Sequence, residues 1–186
     1  MKERILDTAE KRFFQYGLRK VTMDEIASDL GISKKTLYKH YSGKEDLARG
    51  VIKKFQDGIV ALLENMKQEV PNPVERFERL IIEVSKRRSA MCNQFPVDIK
   101  MDIPDLWEDI EDFKKRQLMV YTGHILQEGI EKELIRDDIN TEIAAIMYQS
   151  AIQSLVCPET MEENHFSVDE IFSNISKIFL EGVKLK

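Results

Sequence analysis

An all-α protein is predicted by three observations. No convincing strand run occurs, while apolar residues recur at spacings of three and four along most of the chain. Only eight glycines and five prolines are present, and every proline lies at or after Pro71, so the first third can be nearly uninterrupted helix. The 186 residues are 42% hydrophobic, enough for one compact domain or for a small domain fused to a larger one.

The first helix is expected over about Lys2 to Tyr16. Ile5, Leu6, Ala9 and Phe13 form one stripe, and Gly17 ends it. Thr22 with Glu25 three residues on reads as a capping box opening a short second helix with Ile26, Ala27 and Leu30 inward. Gly31 suits a left-handed helix end, and Ser33 caps a third helix in which Leu37 and Tyr41 share the inner face. Helix, glycine turn, helix is a helix-turn-helix pattern. After Ser42, paired with Glu45 as a further box, a long helix is predicted from Lys44 to about Glu69. It carries Leu47, Val51, Phe55, Ile59, Leu62 and Met66 along one side. At 1.5 Å per residue it would be about 39 Å long. Val70-Pro71-Asn72-Pro73 ends it.

A fifth helix follows from Pro73 to about Met91. Cys92 to Pro104 reads as loop plus a short helix, and Asp105 to about Leu134 as a long helix or kinked pair. Arg136 to Asn140 reads as a polar turn with Asn140 as cap, followed by a helix to about Cys157. Pro158 to Phe166 reads as loop, and Ser167 with Glu170 as the box opening the last helix.

Charge is unevenly spread. Residues 1–50 hold eleven Lys/Arg against eight Asp/Glu, net +3, and the remainder seventeen against twenty-five, net −8. A basic head on an acidic body confines an anion-binding surface to one end. The third helix is the pointed exception in an acidic chain. Lys34, Lys35 and Lys39 lie on it with Thr36, Tyr38 and His40, Lys44 follows, and no acid stands at its start. Its free amides and dipole stay open to phosphate, which suits a helix that reads the major groove.

Catalysis finds little support. His40, His124 and His165 are far apart, no HExxH, P-loop, GxSxG or paired-cysteine pattern occurs, and Cys92 and Cys157 lack CxxC partners. Asp98, Asp102, Asp105, Glu108 and Asp109 read as a solvated face, and Lys86, Arg87 and Arg88 as a solvent-facing trio. No catalytic residue, metal ligand or cofactor is expected. Met1 to Glu10 alternates charged and apolar residues, unlike a secretory leader, and no run of about 18 apolar residues exists. A cytoplasmic protein without a membrane partner is expected.

The segments ILDTAEKRFFQYG, VTMDEIASDLGISKKTLYKHY and SGKEDL, in that order, closely resemble the N-terminal domain of the TetR family of bacterial transcriptional regulators. The resemblance covers about Arg4 to Ile52. It implies a three-helix DNA-binding domain over 1–48, joined by the long helix to a helical ligand-binding and dimerisation domain over 49–186. Thr22 would contact phosphate, and Lys34, Lys35, Thr36 and Tyr38 would read bases or adjacent phosphates. Lys39, His40 and Lys44 would grip the backbone, with Ser33 capping the helix. Lys35 departs from the family, which often has a small residue at that position.

The resemblance also implies a homodimer built from the last two helices. Ala144, Met147, Ala151 and Leu155 on one, with Ile171, Ile175, Ile178 and Phe179 on the other, are the expected interface. A small-molecule effector would occupy a cavity among Phe77, Met91, Phe95, Met101, Trp107, Phe113, Tyr121, His124 and Tyr148. The function implied is a ligand-responsive repressor of a double-stranded operator. An activator, or a constitutive DNA-binding protein without inducer, is the alternative.

Overall fold

The computed structural model describes residues 1–185 and is all-α. Its helices are α1 (Lys2–Tyr16), α2 (Met23–Leu30), α3 (Lys34–Tyr38), α4 (Lys44–Glu69), α5 (Pro73–Ser89) and α6 (Gln94–Asp102). They continue with α7 (Pro104–Phe113), a π-helical turn (Lys114–Met119), α8 (Val120–Glu131), α9 (Thr141–Leu155), α10 (Pro158–Asn164) and α11 (Val168–Val183). Among the described residues the β pairing is confined to an isolated bridge between Ile135 and Lys184. The chain forms two compact units, one of residues 1–59 with 90–112, the other of residues 60–89 with 113 onward.

The first unit reaches well past residue 48. Ile5, Ala9, Phe13 and Phe14 of α1 are buried with Ile26, Leu37, Leu47 and Val51, as the helical stripes require. Phe95 and Ile99 of α6 are buried in the same core. The Phe95 ring stacks on Phe13 at 6.0 Å between centroids and tilts against Phe14 at 5.3 Å. Sequence spacing registers neighbours along one helix, and α6 joins this core across more than seventy residues of chain, so periodicity could not assign it.

Asp98 is a second departure from the sequence reading. It is fully buried, not part of a solvated face. Its carboxylate accepts from the Arg19 amide at 2.9 Å and from Gln94 Nε2 at 2.6 Å. The Arg19 guanidinium grips Asp102 with two parallel hydrogen bonds of 2.9 and 2.5 Å. Gly17, at φ 86°, passes so close that a Cβ there would stand 2.9 Å from Asp98 Oδ2. Together these contacts fasten the chain between α1 and α2 to α6.

Several local expectations shift. The Ser42 amide and hydroxyl both donate to Asp46, not Glu45, because α4 starts at Lys44 and Asp46 occupies the third position after Gly43. Leu63 rather than Leu62 takes the buried position on α4, following Ile59 and preceding Met66. Residues 158–164 form α10 instead of loop: Pro158 occupies the first helical position, where its missing N–H costs nothing. Arg87 is half-buried, with its Nε enclosed, rather than solvent-facing.

In the second unit, α5, α8, α9 and α11 share a core. Phe77, Tyr148 and Phe179 form an aromatic triad with centroid separations of 5.0, 5.4 and 5.0 Å. Beside it Arg76 is buried at 3% exposure, donating to Val70 O at 2.9 Å and to both Glu128 oxygens at 2.8 and 3.1 Å. The Arg76 hydrogen bonds hold the Glu128 carboxyl down at about 2, with Lys132 adding to the effect.

Arg76→Ala is expected to destabilise the protein by about 2–3 kcal/mol at neutral pH, since it removes a buried side chain and leaves Lys132 as the one cation on a half-buried carboxylate. A folded-state pKa below the unfolded value means that Glu128 contributes fully above about pH 4.5. That contribution fades as pH falls toward 2. Thermal unfolding from pH 7 to 3 should therefore show the gap between wild type and variant narrowing on acidification. A gap that widens would contradict the assignment.

Candidate nucleic-acid interface

The local structure from Thr22 to Tyr41 follows from its caps. Thr22 Oγ1 accepts from the Glu25 amide at 3.2 Å, and the Glu25 carboxylate accepts from the Thr22 amide at 2.8 Å. This fixes the start of α2. Gly31 closes α2 at φ 65°, a left-handed conformation, and the Ile32 amide donates to Ala27 O at 3.0 Å. Ser33 is extended and its hydroxyl accepts from the Thr36 amide at 3.1 Å, which starts α3. Leu37 is fully buried and Tyr41 nearly so, which sets the rotation of α3 on the core. Arg12 ties α1 to α2 through two hydrogen bonds to Asp29 of 2.6 and 2.7 Å.

That rotation decides what faces outward. Ser33, Lys34, Lys35, Tyr38 and Lys39 are exposed, and Thr36 and His40 are half-buried. Tyr38 presents 42% of its surface. Among the described residues no ion pair engages Lys35 or Lys39. Lys34 differs: its ammonium meets Asp24 at 2.7 Å, an exposed pair that a phosphate could displace at little cost. Thr22 is exposed, but its hydroxyl proton goes to Glu25 at 2.9 Å, leaving a lone-pair face outward. Lys44 has a structural task that its sequence position did not reveal. It is half-buried and its ammonium donates to Arg19 O and Val21 O at 3.4 and 3.2 Å, bracing the chain before α2.

The result is a short helix with three exposed cations, one of them paired with Asp24, and an amphipathic aromatic ring exposed beside a polar N-terminal cap. Chemically this surface can contact phosphate oxygens through ammonium groups and base edges through the phenol and hydroxyls. Among the described residues no cluster of three His, Cys, Asp or Glu side chains is placed to hold a metal. No helix among them is long and apolar enough to cross a membrane.

The residues expected to line an effector cavity scatter. Phe95 is buried in the first unit's core, with Met91 and Trp107 packed against it, and Met101 is 64% exposed. His124 is exposed, Phe113 is half-buried, and Tyr121 donates to Leu63 O at 3.2 Å. Phe77 and Tyr148 do line a cavity of ≈ 50 Å³ within the second unit. Its remaining walls are Leu80, Ile81 and Val84 of α5, Leu118 of the π turn and Thr122 of α8. Gln149 and Ile152 of α9 and Phe172 of α11 complete it. Sequence reasoning weighted aromatics and passed over these aliphatic residues. The signal was present in α5, where Phe77, Leu80, Ile81 and Val84 keep helical spacing.

The expected interface residues also divide. Ala144, Ile171 and Phe179 are buried within the second unit's own core, on the inward side of stripes wider than one interface needs. Ala151, Leu155 and Ile175 are half-buried. Met147 and Ile178 are exposed at 58% and 73%, joined by Ile143 at 65% and Ile146 at 44%.

Residues 5–51 match the family described as bacterial regulatory proteins, tetR family. An uncharacterised HTH-type transcriptional regulator of Bacillus subtilis, YvaF, is 24% identical over 98% of this chain and 95% of its own length. The HTH-type transcriptional repressor KstR2 of Mycobacterium tuberculosis is 26% identical over 75% of this chain and 71% of its own. Among solved structures, a transcriptional regulator from Cytophaga hutchinsonii superimposes with a TM-score of 0.80 at 23% identity, covering 98% of both chains. Each of the three is described as a transcriptional regulator or repressor.

Proposed function

We propose, for a chain that belongs to the tetR family of bacterial regulatory proteins and is a transcriptional regulator, that it acts as a repressor released by a small molecule. Two copies would bind a palindromic operator, each placing α3 in the major groove. Lys35 and Tyr38 contact bases, Lys34, Lys39 and His40 contact phosphates, Thr22 does so once its hydroxyl proton turns from Glu25 to the phosphate, and Ser33 holds the helix start. The observation that carries this reading is the outward face of α3: exposed, free of acids and fixed in rotation by the buried Leu37. That the relative KstR2 is a transcriptional repressor supports the direction of control. The effector site is the cavity between α5, α8, α9 and α11. An effector shifts the equilibrium only by binding the two states with different affinity. At ≈ 50 Å³ the cavity is far below the roughly 300–1,000 Å³ of a typical ligand cleft. Effector binding therefore needs these helices to part.

Fluorescence polarisation with a duplex from the gene's own upstream region tests the reading. Specific binding should exceed binding to a scrambled duplex by about 10³-fold or more. It should weaken steeply with salt as phosphate contacts release counterions. Equal affinity for both duplexes at every salt concentration would refute an operator-binding repressor and favour a non-specific DNA-binding protein.

A further inference from the structure

The cavity of the second unit has a chemical character that narrows its ligand. None of its lining side chains is ionisable at neutral pH. Its walls are aliphatic and aromatic apart from Thr122, Tyr148 and Gln149, and the Thr122 hydroxyl already donates to Leu118 O at 2.8 Å. Tyr148 is the outstanding group. The residue is 6% exposed, and its hydroxyl has no hydrogen-bond partner in the protein. Ser176 stands near it but outside hydrogen-bonding geometry, with its own proton donated to Phe172 O. Burial pushes the Tyr148 phenol up to about 12, so it remains a neutral donor. The ring cannot turn away to find a partner, because Phe77 and Phe179 clasp it at 5.0 Å each.

We infer that the effector is an uncharged, mainly apolar molecule bearing a hydrogen-bond acceptor, such as a carbonyl oxygen, which receives the Tyr148 hydroxyl. This rests on the effector-controlled reading of the same cavity and adds the ligand's chemistry. A buried donor without a partner is costly, and an acceptor arriving with the ligand satisfies it. An ionised ligand would instead lose its hydration among groups that cannot compensate it. Arg87 also has an enclosed, unpartnered Nε, but it lies a turn beyond Val84 on α5 and is not in the cavity wall. It is the group an anionic ligand would seek, which gives the opposing outcome of the test.

Isothermal titration of the full chain would use methyl ketones of six, eight and ten carbons and the carboxylates of the same lengths. Ketones should bind more tightly than the matched carboxylates. Tyr148→Phe should fold with an unfolding temperature equal to or above wild type, because it removes an unsatisfied donor. It should weaken ketone binding about tenfold, the value of one well-placed hydrogen bond. Tighter binding of carboxylates, ketone affinity indifferent to Tyr148→Phe, or no ketone binding at any length would overturn the inference. Operator affinity measured on the same samples separates the two readings. Tyr148-dependent ketone binding that leaves operator affinity unchanged supports the cavity chemistry and removes effector control from the proposed function.

Discussion

Replacing Ile178 by aspartate is expected to leave a folded monomer whose operator affinity is at least about 100-fold lower, a loss of about 2.7 kcal/mol. Ile178 is 73% exposed, so the aspartate meets water within a single chain and the core of α11 is untouched. At a two-fold interface the same residue would face its own symmetry mate or a neighbour, and burying two unpaired carboxylates there costs several kcal/mol. α9 and α11 pack on one another. They expose Ile143, Met147 and Ile178, with Ser150, Ser154 and Gly182 also exposed and small enough for close approach. Met147→Asp should act in the same direction. Sedimentation velocity reads the mass, circular dichroism the fold, and polarisation the DNA affinity. An Ile178→Asp protein that sediments as wild type would remove this face from the proposed dimer.

Tyr38→Ala and Lys35→Ala are each expected to lower specific operator affinity by about 10- to 100-fold, corresponding to 1–3 kcal/mol per base-reading side chain. Both side chains are exposed, so neither change opens a cavity or strands a buried group. Lys39→Ala should weaken specific and non-specific duplexes alike and reduce the slope of log affinity against log salt by about one, as a phosphate contact does. Polarisation against specific and scrambled duplexes at several salt concentrations separates these behaviours. Unchanged specific binding in both Tyr38→Ala and Lys35→Ala would remove α3 from the role of reader. Leu37 is unsuitable as a probe of contact: it is fully buried, and truncating it would disturb the core that orients the helix.

The segment from Thr22 to Tyr41 was the most legible part of the chain. Its information is local: each cap, glycine turn and inward residue acts over three or four positions. Thr22/Glu25, Gly31 and Ser33 accordingly appear as expected. Lys44 was less legible, because its partners Arg19 O and Val21 O are backbone carbonyls brought near by the fold. The cavity was legible only in Phe77 and Tyr148. Aromatic content singled out Phe95 and Trp107 equally, yet these pack into the first unit, where nothing in their own spacing placed them.

By itself the sequence determined the helical class, most helix boundaries, the helix-turn-helix with its exposed Lys35 and Tyr38, and the family resemblance over the first quarter. Helix propensity, capping and amphipathic periodicity act between near neighbours and are written in consecutive residues. Only the tertiary structure decided that α6 joins the first core and that Asp98 is buried against Arg19. It alone separated Ile178, which faces outward, from Ile171 and Phe179, which face inward. A wide apolar stripe states that a helix is covered, while which part is covered by its own chain depends on the packing of helices distant in sequence.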